Sequence, residues 1–223
     1  PGSMMTRMSD YKFMAEAGPE ICVMSTKVYV SMISWGYLLA KTVVGQGSAA
    51  RKNLMQLSRT INHYLQHQRM QHQIKELAGK LIKKPHIFLL GKGQNLQIIK
   101  EAMVKIIEGA YIHAHAIPAG DLKHYAITLM EKGVPVIFAL ANDDVKQDVL
   151  NAVSEVKARG ATVFGIGPER MSQFDEFLPV PDTGETSAIS TIVPLQLLAY
   201  HMAVILGHDV DKPRNIAKSV TVK

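Results

Sequence analysis

From Pro85 onward, short apolar runs alternate with longer stretches of helical periodicity, and this alternation limits the fold more than any other feature. Residues 86–90 read as a buried strand. Residues 94–110 read as a helix with Ile98, Ala102 and Ile106 on one face. A strand at 112–116 and a helix at 121–131 follow, then a strand at 134–140. Residues 143–159 form a helix begun by Asn142 or Asp143, followed by strands at 161–166 and 176–180 and a long apolar helix at 185–206. Strands spaced by helices of this length predict a parallel sheet covered on both faces. The expected class is therefore α/β, a three-layer fold with a central parallel sheet of about five strands. Such sheets bind ligands outside the carboxyl ends of their strands. That edge holds Gly91-Lys92-Gly93, Ala119-Gly120 and Asn142.

Upstream of Pro85 the pattern is helical. Residues 5–20 have weak periodicity and read as an irregular lead-in. Ser25 is placed to cap a helix that runs to Val44 and stops at Gly45-Gln46-Gly47. Two amphipathic helices follow at 48–66 and 68–83. Pro1-Gly2-Ser3 resembles an expression-tag scar and is left out of the fold reasoning.

Composition narrows the function classes. The formal net charge is +6, which suits an anionic metabolite, and the basic residues are dispersed. No basic patch is interleaved with aromatics, so nucleic acid is not expected as a partner. The single cysteine, Cys22, excludes an internal disulfide and fits a reducing cytoplasm. No stretch reaches about 18 uninterrupted apolar residues, so no membrane span is expected.

Several residues have the types that carry chemistry. Glu101, Lys105 and Glu108 sit at spacings of four and three and share one helix face. Read alone, they are a solvated charged stripe. His124 opens a helix, where a capping or surface role is common. Lys218, read alone, is a surface lysine. Gly91-Lys92-Gly93 lies between strand and helix, where backbone N–H groups can hold phosphate, although a plain turn has the same signature. His63 and His67, with His72 nearby, have the spacing of helical metal sites. They stand among glutamines and arginine without an acidic ligand, so a solvated face is expected and no metal.

Longer motifs supply a resemblance. The tail Asp209-Val-Asp-Lys-Pro-Arg-Asn-Ile-Ala-Lys-Ser-Val-Thr-Val-Lys223 resembles the C-terminal tail of the isomerase module of the glucosamine-6-phosphate synthases (glutamine–fructose-6-phosphate aminotransferases). It differs at Ile216, a leucine in the family, and at Lys223, a glutamate there. Residues 101–115 and 119–124 resemble two further motifs, with Ala102, Ile107, His115 and Asp121 replacing the family's residues. Tyr125-Ala126 replace a Gly-Pro pair. Residues 17–27 resemble a fourth motif, with Cys22 for glycine and Met24 for alanine. The resemblance spans about residue 11 to the end, in the arrangement of the second sugar isomerase (SIS) half plus tail.

The resemblance implies roles. Lys218 forms a Schiff base with fructose 6-phosphate, and Arg214, one helical turn upstream, supplies a field that favours the neutral amine. Glu108 moves a proton between C1 and C2 of the sugar, with Lys105 beside it. His124 opens the sugar ring in the active site of the neighbouring subunit, which implies a homodimer. The Val23 backbone and the Ser25 hydroxyl contact the sugar. No cofactor is implied. The expected organisation is a start at 1–4, the end of a first isomerase half at 5–47, a second SIS domain at 48–207 and a catalytic tail at 208–223. The expected partners are fructose 6-phosphate and glucosamine 6-phosphate, a second copy of the chain, and a glutaminase domain and first isomerase half supplied by a longer protein. The chain alone is expected to lack ammonia generation and most of the phosphate grip. A sugar-phosphate-sensing module of the same fold is one alternative, and a deaminating sugar-phosphate isomerase is another.

Overall fold

The computed structural model describes residues 3–218. Five strands, β1 (His86–Gly91), β2 (His113–Pro118), β3 (Pro135–Ala139), β4 (Thr162–Gly167) and β5 (Glu176–Pro179), form one sheet in the order β2-β1-β3-β4-β5. Every pairing is parallel, with Leu89 opposite both Ala116 and Ile137, and Ile166 opposite Leu178. The strand order reverses between β1 and β3.

Among the described residues, seven α-helices accompany the sheet: α1 (Met4–Met8), α2 (Lys27–Val43), α3 (Gly47–Gln66), α4 (Gln68–Leu81), α5 (Gln94–Ala110), α6 (Lys146–Lys157) and α7 (Ser187–Ile205). Alternation along the strands sends neighbouring side chains to opposite faces. Ile87, Leu89, Ile137 and Ile166 join a core with α4, α5 and α7. Phe88, Leu90, Val136 and Phe138 join a second core with α6 and the segment after β2. The expected three-layer class is therefore present, with the N-terminal helices and the tail added to it.

The helix α7 packs against α5, and Gly109 permits the close approach. A Cβ there would sit 3.2 Å from the Met24 sulfur and 3.6 Å from the Ala199 carbonyl oxygen. Met24 is 4% exposed and fills the space above this glycine. Among the described residues, the segment Gly184–Ile205 is long and apolar enough to cross a membrane. Its Ile192, Leu195, Leu198 and Met202 are fully enclosed by the fold, which accounts for an apolar helix in terms of the core.

Local departures from the sequence expectations have physical causes. Residues 121–131 form two short 3-10 helices, Ala119–His124 and Ala126–Leu129, in place of one α-helix. Tyr125, at φ −152° and ψ −51°, interrupts them. Ser25 does not cap α2. It has a left-handed backbone (φ 56°), and the Glu20 carboxylate accepts the Val28 N–H at 2.8 Å instead. The helix α6 begins at Lys146, because Asp143 first accepts the Val145 N–H at 3.3 Å in a local turn and Asn142 donates to Asp182. Met4–Met8 is helical where an irregular segment was expected. The sequence from Pro213 to Lys218 is compatible with a helical turn, but the chain there makes a non-helical turn with Asn215 at φ 63°. The β-rich end of the sequence, Ser219 to Val222, lies outside the described residues.

Candidate active site

The last three turns of α5 carry the acidic and basic groups. Lys105 is 4% exposed, so it is not part of a solvated stripe. Its Nζ lies 3.1 Å from Glu101 Oε1 and 3.2 Å from Glu108 Oε2. A buried ammonium needs such partners, because an isolated charge removed from water is strongly disfavoured. Two carboxylates share one cation, so the cluster keeps a net negative charge. Glu101 also faces α2: burial first, and then the Glu101 charge, pushes the Tyr29 hydroxyl up from its ordinary pKa. Glu108 has the more open of the two carboxylates, at 26% side-chain exposure against 17% for Glu101.

The chain leaves α5 through Tyr111, which has a left-handed backbone (φ 57°) and donates its N–H to the Ile107 carbonyl. This places the Tyr111 ring against the tail. The His208 ring stacks on it with centroids 4.2 Å apart, and His208 Nδ1 is 2.9 Å from the Gly109 carbonyl. The Arg214 guanidinium lies 4.2 Å from the same ring centroid, a cation–π distance. The Arg214 N–H donates to Tyr111 Oη at 2.9 Å. Arg214 is thus directed at Tyr111 and does not stand one helical turn from Lys218. A cavity of about 380 Å³ results, lined by Glu108, Tyr111, His113, Arg214, Asn215 and Ile216.

Lys218 reaches the segment before α2. Its Nζ donates to the Cys22 carbonyl at 2.8 Å. Two more contacts join the same segments: the Cys22 thiol donates to Val210 O at 3.0 Å, and the Val23 N–H donates to Asp211 O at 3.1 Å. Burial pushes the Cys22 thiol up, opposed by the Met24 N–H and by Lys218. Lys218, Val23 and Ser25 therefore belong to one neighbourhood, and Glu101, Lys105, Glu108 and the Arg214 turn to an adjoining one.

Two expected site elements stand elsewhere. His124 is exposed at the end of its 3-10 helix, which packs on the second core, across the sheet from α5. Gly91-Lys92-Gly93 forms the turn into α5, with Gly93 at φ 59° as its N-cap. Lys92 is paired with Asp148 and lines a cavity of about 220 Å³ that also holds Glu155. Acidic groups on that wall favour the plain turn over a phosphate cradle.

Sequence reasoning missed several groups. The stack of His208, Tyr111 and Arg214 joins residues 97 and 103 positions apart, and no local pattern announces it. Glu20 as the cap of α2 was equally hidden. His63 and His67 are exposed, as expected of a solvated face. With Arg59 they line a cleft of about 820 Å³, and His72 pairs instead with Glu76 at 3.4 Å.

Comparison with known proteins agrees with this architecture. The SIS domain model matches residues 80–206. The glutamine–fructose-6-phosphate aminotransferase [isomerizing] of Pyrococcus horikoshii is 39% identical over 229 residues, covering 100% of this chain and 38% of that protein. The Thermococcus kodakarensis protein of the same name is 38% identical, with the same coverage. The chain thus spans 38% of the length of these curated relatives. Among solved structures, the C-terminal domain of glucosamine-fructose-6-phosphate aminotransferase from Francisella tularensis superposes with a TM-score of 0.82 at 29% identity, covering 95% of this chain and 62% of that one. Glucosamine-6-phosphate deaminase from Thermotoga maritima superposes with a TM-score of 0.68, covering 91% of this chain and 59% of that one; at 21% identity this shows the shared fold alone. A parallel five-stranded sheet in this order, matched by the family model across it, assigns the chain to the SIS domain family.

Proposed function

We propose that this chain is the second isomerase half and tail of a glutamine–fructose-6-phosphate aminotransferase, with the SIS domain at 48–207, the tail at 208–223 and the end of a first isomerase half at 5–47. The observation that carries this reading is the docking of the tail on α5, which puts Arg214 to Ile216 in the same cavity wall as Glu108.

The chemistry follows from the groups. The Lys218 amine, once unprotonated, attacks C2 of fructose 6-phosphate, and loss of water gives an imine. Ammonia derived from glutamine displaces the lysine. Glu108 takes a proton from C1 and returns it to C2, while the C1 hydroxyl loses its proton to become the aldehyde of glucosamine 6-phosphate. Lys105 holds the Glu108 carboxylate in place. Val23 and Ser25 border the amine. His124 lies across the sheet from Glu108, so in this reading it serves the site of a second copy, opening the sugar ring there. The remaining parts of such an enzyme supply ammonia and the phosphate grip, and the assembly works in the cytoplasm.

Borohydride trapping with fructose 6-phosphate tests the reading, performed on this chain and on the full-length protein, with peptide mapping by mass spectrometry. A sugar adduct on Lys218 in the full-length protein is the expected result. Sugar-phosphate binding with no adduct would remove the Schiff-base role and favour a sensing module.

A further inference from the structure

The cleft of about 820 Å³ has no part in the mechanism above. One wall is a face of α3. Arg59, His63 and His67 follow one another at intervals of four, with Thr60 and Tyr64 beside them. The other wall is made of the segments that leave the carboxyl ends of three strands: Asn142 after β3, Pro168 after β4, and Val180 to Asp182 after β5. Open parallel sheets bind ligands at this edge. The volume lies within the usual range of small-molecule sites.

The two walls offer complementary chemistry. Arg59 supplies a permanent cation with a planar fork of donors, and the two imidazoles add donors when protonated. Opposite them, the Asp182 carboxylate is held by the Gly184 N–H and by Asn142 Nδ2, each at 2.9 Å. These hydrogen bonds, with Lys146 nearby, hold Asp182 below the usual carboxylate range, so it stays an acceptor. Val180, Met70 and three prolines form an apolar floor suited to the C–H face of a ring or chain. A further group is unsatisfied there: Tyr64 is 7% exposed, and its hydroxyl has no hydrogen-bond partner among the described residues. A buried hydroxyl without a partner is unfavourable, and a ligand oxygen reaching it would relieve that.

We propose that this cleft is a second ligand site, which binds a phosphorylated polyol with its phosphate toward Arg59 and His63 and its hydroxyls toward Asp182. The site is separate from the Lys218 and Glu108 neighbourhood and does not depend on the reaction assigned there.

The test is a titration of the 223-residue chain followed by histidine ring resonances in NMR. Two probes are used: glucitol 6-phosphate, which has no carbonyl and cannot form an imine with Lys218, and inorganic phosphate. The expected result is saturable shifts of His63 and His67 with glucitol 6-phosphate. Arg59→Ala should weaken binding by about tenfold or more, the usual scale for losing a charge-assisted contact. Tyr64→Phe, which keeps the ring packing, should weaken it several-fold, and Lys218→Ala should leave it unchanged. Shifts confined to His113 and His208, or shifts that never saturate, would overturn the site. Equal affinity for inorganic phosphate would overturn the assignment of a polyol. Each of these results leaves the trapping experiment on Lys218 to stand or fall separately.

Discussion

Arg214 is held to Tyr111 by two different atoms: its backbone N–H donates to the phenolic oxygen at 2.9 Å, and its guanidinium lies 4.2 Å from the ring centroid. The tyrosine thereby fixes both the path of the tail and the direction of one of its charges. Tyr111→Phe should keep the ring contacts and lose only the backbone hydrogen bond, worth about 0.5–1.5 kcal/mol. Tyr111→Ala should also lose the His208 stack and the cation–π contact, each on the order of 0.5–1.5 kcal/mol. Hydrogen exchange at the Arg214 amide, together with limited proteolysis across residues 209–218, reads the effect. Faster exchange in the phenylalanine variant, and cleavage of the tail in the alanine variant, are expected. An unchanged Arg214 amide in both would show that the tail is held by other contacts.

Removing the cation from the α5 cluster should be costly. Lys105→Met leaves Glu101 and Glu108 on one helix face with no neutralising charge. A fully buried pair broken this way loses about 3–5 kcal/mol. The carboxylates here are partly exposed, so a loss of about 2–4 kcal/mol is expected. Urea denaturation measures it. The double variant Lys105→Met with Glu101→Gln should recover part of the loss, and no recovery would mean that packing, not charge, accounts for the effect.

Acid sensitivity should trace in part to His201. Burial first, and then the nearby Lys75 charge, hold this imidazole below its ordinary pKa, and its buried Nε2 has no partner among the described residues. The unfolded chain therefore binds a proton more readily than the folded one. The sign is a loss of stability as pH falls through about 6.5, the unfolded value, toward the lower folded value. His201→Leu should flatten the difference in urea midpoint between pH 7.5 and pH 5.5. An identical drop in both proteins would assign the acid sensitivity to other groups.

At Gly165 in the sheet even a methyl group should fail. Gly165 on β4 lies directly beneath the Phe174 ring, which is buried and stacks on Phe177 with centroids 5.9 Å apart. Gly165→Ala should destabilise by about 1–3 kcal/mol through overpacking. Phe174→Leu added to it should restore part of the loss. Thermal unfolding of the two variants decides whether steric crowding is the cause.

How far these features could be read from the sequence depended on how local they are. The periodicity of residues 94–110 coincides with α5 at both ends, because one apolar stripe and two flanking turns define it. The parallel sheet followed from strand and helix lengths alone. The segment 119–129 was read too simply, since its apolar pattern also suits two 3-10 turns broken at Tyr125. Ser25 looks like a helix cap in every respect except that a carboxylate five residues upstream takes the task. The spacing of Arg214 and Lys218 suggested a shared helical turn, and a ring 103 residues away redirects the arginine. Groups paired across the whole chain leave no short-range signal. The same reason hid the cleft at Arg59, whose far wall comes from three separate loops.

The bonds between the tail and the segment before α2 have a kinetic consequence. Cys22 and Val210 are 188 residues apart in sequence, and Cys22 and Lys218 are 196 apart. Closing a loop of that length costs chain entropy that only contacts already in place can offset. These bonds should therefore form after the sheet and its two cores have assembled. The amine is among the last groups to reach its position, so a partly folded or interrupted chain does not present it.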